Sequence, residues 1–200
     1  MFYRTDTNDH GLPHSPFKAI VAPRPIGWIS AVSRKGEMNL SPYSYFNAVA
    51  DRPPVVLFSS DGMKDAASFV EESGEFVCNF VTYELREKMN LTSAPLPRGE
   101  NEMVFAGLTP APSVLVKPPR VAEAPAALEC KLLQIIPLKA LDGSMIGNHL
   151  VIGQVIGVHI DEKFIKNGRF DTIGAQPIMR MGYHDYAVGT EGFTMVRPGG

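Results

Sequence analysis

Eighteen glycines and seventeen prolines are scattered along all 200 residues instead of being gathered into one linker. Glycine weakens a helix interior and proline breaks it. The chain must therefore fold as many short elements joined by turns, not as a few long helices. What lies between the breakers is β-like. Ile26 to Val32 (IGWISAV), Val55 to Ser59 (VVLFS), Glu75 to Val81 (EFVCNFV), Ala127 to Pro137 and Leu150 to Ile160 are rich in β-branched and aromatic residues and bounded by Gly, Pro, Asp or Asn. Several are continuously apolar, the pattern of strands buried on both faces, as in a barrel covered by helices or by a partner. The expectation is a mainly β fold, a β-barrel with short flanking helices, formed by residues 1–200 as one domain.

Two short helices fit between these strands. Lys64 to Ser73 sets Ala67, Val70 and Glu71 near one another, and Glu84 to Thr92 turns Leu85, Met89 and Leu91 toward a core. From Ala94 to Pro125 the chain is proline-rich but carries apolar anchors, which reads as an ordered excursion. The formal net charge is −2 and no basic stripe is visible, so no nucleic-acid partner is expected. No apolar run approaches the ~20 residues of a membrane span. The first residues lack the apolar core of a signal peptide, so a cytoplasmic location is expected. Cys78 and Cys130 sit inside strand-like runs, as buried reduced thiols would, and the five histidines (10, 14, 149, 159 and 184) have no metal-ligand spacing.

Three stretches carry candidate chemistry. In Ala22-Pro23-Arg24-Pro25-Ile26-Gly27-Trp28-Ile29-Ser30, two prolines hold Arg24 extended at the entry to the first strand; alone, this is equally a strand start with a surface arginine. Gly36 to Asn47 (GEMNLSPYSYFN) concentrates hydroxyls, asparagines and aromatics without helix or strand periodicity. Such a loop offers donors to a phosphate and ring edges to a planar cofactor, though turn-formers with core aromatics look the same. Phe58 to Asp65 (FSSDGMKD) runs from a strand through two serines and a glycine into a helix that starts at Lys64. The unpaired N–H groups of a first helical turn and the positive dipole end suit an anion; a plain helix capped by Asp61 or Ser60 is the simpler alternative. The Walker spacing is absent.

In this order, the three stretches resemble the flavin reductase-like proteins with an FMN-binding split barrel. The resemblance continues through Glu75-Phe76-Val77-Cys78-Asn79, Gly107 to Ser113, Ala127-Leu128-Glu129-Cys130, Asn148 to Val155 and Arg180-Met181-Gly182, spanning Phe17 to Tyr186. It implies a six-stranded antiparallel barrel of Greek-key type, assembled as a homodimer with FMN at the subunit interface. It places Trp28, Ile29 and Ser30 along the ring or ribityl side. Asn39, Leu40, Ser41, Ser44, Phe46 and Asn47 would form a cradle around ring and phosphate, and Ser59, Ser60 and Lys64 the phosphate end. His149 matches a position facing the nicotinamide, although the acid that usually precedes it is replaced by Asn148. His159, deeper in the same strand, reads as structural. The implied function is hydride transfer from NADH or NADPH to flavin, with a flavin-dependent monooxygenase or an electron-transfer protein as partner. A flavoredoxin-like carrier reduced by a protein and a flavin-binding module without turnover remain alternatives.

Overall fold

A computed structural model describes residues 1–199. Its main sheet is built from β1 (Gly27–Val32), β2 (Met38–Tyr43), β3 (Phe46–Asp51), β4 (Pro54–Asp61), β5 (Glu75–Asn79), β6 (Ala126–Lys139) and β7 (Met145–Ile160). All neighbours are antiparallel, in the order β2-β1-β5-β6-β7-β4-β3. The two edge strands, β2 and β3, are separated in sequence only by Ser44 and Tyr45. A flat sheet would hold its edges several strand spacings of ~4.8 Å apart, so this one must roll up. Tyr43 of β2 meets Phe58 of β4 with ring centroids 4.6 Å apart, and Phe58 meets Phe76 edge-on at 5.7 Å. Three hairpins supply most of the pairing. The crossover from β4 to β5 skips β6 and β7, the long return of a Greek key.

The crossover carries helix α1 (Asp65–Ser73), whose Ala67, Phe69 and Val70 pack with Ile29, Ala31, Phe58, Phe76 and Val151 in the barrel core. A second cluster lies on the other face of β1. There Trp28 and Leu40 pack against Leu85 and Met89, around helix α2 (Arg86–Leu91), and against Met103 of α3 (Glu102–Phe105). Burial on both faces explains the continuously apolar sequence of β1. Phe76 fills the barrel so closely that a Cβ at Gly153 of β7 would collide with its ring. Cys78 and Cys130 are buried and unpaired.

Three expectations are corrected. Residues 38–43 and 46–51 are strands, not loop, so the sheet has seven strands where six were implied. Their Asn, Ser and Pro residues have low strand propensity, but as edge strands they are fixed by pairing with β1 and β4, and an edge tolerates Pro42. Leu91, at the end of α2, points outward with 46% of its surface exposed. Arg24 is a buried staple, not a surface group: it donates to the carbonyls of Lys18, Val21 and Met181. The 94–125 excursion contains α3 and a two-residue ladder, Pro110–Ala111 with Arg120–Val121.

Glu129 of β6 is 1% exposed and ties that excursion to the barrel. Its carboxylate accepts the backbone N–H groups of Val114 (2.7 Å), Leu115 (2.6 Å) and Val116 (3.1 Å) and bonds His159 of β7. Burial alone would raise its proton affinity, but the His159 bond and the backbone donors outweigh it and hold the carboxyl below its usual range. A depressed folded value means that this stabilisation is full at neutral pH and is lost as pH falls through that value. Glu129→Gln should therefore cost about 2–3 kcal/mol in urea unfolding at pH 7. The gap from wild type should narrow on acidification below pH ~4; a gap that stays constant with pH would contradict this account.

Candidate functional site

β2, the start of α1 and the segment after α2 enclose a cleft of about 450 Å³. β2 contributes Asn39, Ser41 and Tyr43; the α1 entry contributes Lys64 and Asp65; the far wall is Thr92 to Leu96 with Glu102. Three residues that the sequence places up to 25 positions apart thus share one surface: Asn39, Ser41 and Lys64.

The electrostatics of the cleft are uneven. Lys64 is the N-cap residue of α1, is exposed, and among the described residues has no carboxylate within ion-pair distance. No side chain caps that nine-residue helix, although Ala66 and Ala67 of its first turn are buried. Uncapped first-turn N–H groups beside an ammonium are the chemistry that suits an anion. Asp65 pairs with Arg98, 3.9 Å distant, whose guanidinium also bonds Glu72 at 2.9 Å and lies over the Phe69 ring. Burial pushes the Tyr43 phenol up to about 12, against the pull of the Ser60 hydroxyl and with help from Asp65 and Glu102, so it stays protonated. Burial likewise raises Glu102, opposed by its bonds from Leu40 and Asn39.

The remaining expected residues are distributed elsewhere. Trp28, Ile29 and Ser30 have no exposed surface. Trp28 Nε1 donates to Thr92 Oγ1 at 2.8 Å and Ser30 Oγ to the Pro119 carbonyl at 2.6 Å, while Ile29 lies in the barrel core. All three side chains face the protein interior, because β1 is covered on both faces. Leu40 reaches the cleft wall only through its backbone N–H; its side chain is core. Ser60 faces inward by the strand's alternation, and its hydroxyl is spent on the Gly62 carbonyl at 2.7 Å, which removes it from a phosphate site. Ser59 faces outward, its oxygen accepting from Asn148 Nδ2 at 3.4 Å.

Ser44 is half-buried at the join of β2 and β3, and Asn47 is exposed and bonded to its own neighbour, Ala48 N. Phe46 lies on a different surface, an apolar cleft of about 560 Å³ with Ile26, Leu128, Val158, Ile160 and Met179. It crosses so close to Gly27 that no Cβ fits there. His149 pairs with Ser60 across the β4–β7 ladder, next to the turn that leads to Lys64. Its ring is half-buried, and its Nδ1 is enclosed without a hydrogen-bond partner. His159 is the structural partner of Glu129, as its place deeper in the strand suggests.

No local sequence pattern marks Glu102, Arg98 or Tyr43 as part of the site. The one local signal was Asn101 ahead of an apolar triplet, a helix cap: its Oδ1 accepts Met103 N at 2.9 Å. Nothing local shows that the next residue, Glu102, is turned inward.

The rolled seven-stranded sheet, with α1 on its crossover, is the split barrel of flavin reductases. Residues 21–176 match the model of the flavin reductase like domain, and the chain belongs to that family. An uncharacterized protein of Aquifex aeolicus is 36% identical over 169 residues, covering 82% of this chain and 83% of its own. The crystal structure of nitrilotriacetate monooxygenase component B from Bacillus cereus superposes with a TM-score of 0.87 at 32% identity, covering 98% of each chain. The 2-nitrobenzoate 2-nitroreductase NbaA of Pseudomonas fluorescens gives 0.86 at 26% identity, covering 100% of this chain and 97% of that one. No helix among the described residues is long and apolar enough to cross a membrane.

The anion site can be tested without any flavin. Inorganic phosphate should raise the Tm of the apoprotein in proportion to the logarithm of its concentration above Kd. Lys64→Ala should abolish the increment while leaving the Tm in phosphate-free buffer within about 2 °C, as expected of an exposed surface change. An increment that survives in the variant would place the anion elsewhere.

Proposed function

We propose that the protein is an FMN-binding NAD(P)H:flavin oxidoreductase that works as a cytoplasmic homodimer with the cofactor at the subunit interface. The observation that carries this reading is the convergence of Asn39, Ser41 and unpaired Lys64 at the uncapped start of α1, in a chain of the flavin reductase-like family. The residues fit FMN. The α1 entry suits its phosphate, and the Asn39–Ser41 edge offers polar contacts to the ribityl chain or ring. Ser59, Ser44 and Asn47 lie at the rim where the rolled edges meet.

When bound, the flavin supplies the hydride acceptor; the protein binds and orients. Lys64 and the first-turn N–H groups hold the charged end. His149, half-buried beside the turn that leads to Lys64, is the candidate for contact with the carboxamide of a nicotinamide donor and so for fixing the distance between the reacting rings. No residue of the site has to take or give a proton in that transfer. Two buried thiols suit a reducing compartment. A second copy of the chain would cover the apolar cleft beside Phe46, whose rim residues Val158 and Ile160 are 59% and 42% exposed. The likeness to a monooxygenase component B supports a monooxygenase as the consumer of the reduced flavin.

The decisive experiment is a visible spectrum of the protein with FMN, followed by anaerobic NADH or NADPH. Bleaching of the flavin band within seconds, with turnover on added free FMN, is the expected result. His149→Ala should raise KM for the nicotinamide while FMN affinity stays within about twofold, since it removes only a donor-side contact. A stable yellow complex that neither nucleotide reduces would reject the oxidoreductase reading in favour of a carrier reduced by a protein.

A further inference from the structure

Glu102 is 5% exposed, and among the described residues no Lys, Arg or His lies within ion-pair distance of it. A buried carboxylate without a cation is costly. Its fixed position is therefore informative, and the supports for that position are easy to trace. Asn101 caps α3 through Met103 N and Val104 N, while Met103, fully buried in the core against α2, anchors the helix. From there the carboxylate reaches back to β2, accepting Asn39 Nδ2 at 2.7 Å and Leu40 N at 3.0 Å.

A carboxylate can only accept, and that settles the polarity of everything beyond it. The Asn39 amide must turn its NH₂ toward Glu102, which leaves Oδ1 facing Ser41. Ser41 Oγ donates its only proton to that oxygen at 3.0 Å. What Ser41 then presents to the cleft is a pair of oxygen lone pairs. Such a group accepts hydrogen bonds from a ligand and has nothing left to donate to a phosphate oxygen.

We propose that Glu102 is a positioning residue that, acting through Asn39, holds Ser41 as a hydrogen-bond acceptor for the donor groups of the bound flavin, its ribityl hydroxyls or its ring imide N–H. This rests on the cleft being a flavin site. It divides the site in two: the Glu102–Asn39–Ser41 relay reads the part of the ligand that riboflavin and FMN share, and Lys64 with the α1 entry reads the phosphate that only FMN has. It also gives the proline-rich excursion a part in the site, since α3 carries the carboxylate whose two oxygens bond the back of β2.

The test is to titrate FMN and riboflavin into wild type, Glu102→Gln, Ser41→Ala and the double variant, following flavin fluorescence. Glutamine keeps the size but offers one acceptor and one donor, so the Asn39 amide is no longer forced. Loss of one such contact should weaken both flavins by about tenfold and by the same factor. Ser41→Ala should cost much less in the Glu102→Gln background than in wild type, because the two act in series. If Glu102→Gln does not fold, Asn39→Ala cuts the relay from the β2 side and should show the same equal loss. Weakening of FMN alone would overturn the proposal by placing Ser41 at the phosphate. Unchanged affinity for both flavins, or additive losses in the double variant, would reduce Glu102 to a structural group. If wild type bound neither flavin, the reading of the cleft as a flavin site would fail first, and the relay with it.

Discussion

The two residues between β2 and β3 constrain this structure more than any single contact. Because Ser44 and Tyr45 join strands at opposite edges of one seven-stranded sheet, the sheet has no flat solution. Rolling it brings Tyr43 onto Phe58, while the Tyr45 carbonyl accepts Ser59 N at 2.8 Å and carries the β3–β4 ladder up to the join. The seam is also where the chemistry-bearing residues gather. β2 ends there, β4 leaves there toward Lys64, and β7 enters there with Asn148 and His149. A barrel seam is a place where backbone pairing stops short, so polar side chains and helix ends can face a ligand without breaking the ladder.

Two buried carboxylates then fasten the covering segments to this barrel, and they do so by different physics. Glu129 has a histidine partner and three backbone donors, which hold it ionised and make it a latch for residues 114–116. Glu102 has two donors and, among the described residues, no cation within ion-pair distance, and burial raises its proton affinity. The first arrangement is what stabilisation of a loop requires. The second contributes less to stability and more to orientation, since its acceptors dictate which way Asn39 turns. Arg98 pairs with the neighbouring carboxylates of α1, Asp65 at 3.9 Å and Glu72 at 2.9 Å.

The sequence showed the barrel's inner strands plainly. IGWISAV and the FVC of β5 are apolar on both faces because both faces are covered, and their β-branched and aromatic residues between turn-formers mark them as strands. It hid the edges. MNLSPY and FNAVAD have neither alternation nor propensity, and they are strands only because β1 and β4 hold them. The candidate site was legible in part for the same reason. Lys64 and the Asn39–Ser41 pair could be named from residue type and position, but the facing of each side chain could not. Ser59 and Ser60 are indistinguishable in sequence, and the strand's alternation sends one outward and the other onto the Gly62 carbonyl. Trp28 invites a cofactor role by its chemistry, yet it is the pin between β1 and the end of α2.

What distinguishes the cleft from an ordinary surface depression is that its polar groups orient one another in series. Ser41 is turned by Asn39, Asn39 by Glu102, Glu102 by a helix whose cap is Asn101, and Asp65 is paired with Arg98. A groove that merely tolerated water would have no use for such alignment, because water reorients to suit any donor or acceptor it meets. A ligand with donors at one end and negative charge at the other does not reorient. It binds well only where lone pairs and N–H groups are already set in that order. Lone pairs at Ser41 and positive charge at Lys64, facing one volume of about 450 Å³, have that order.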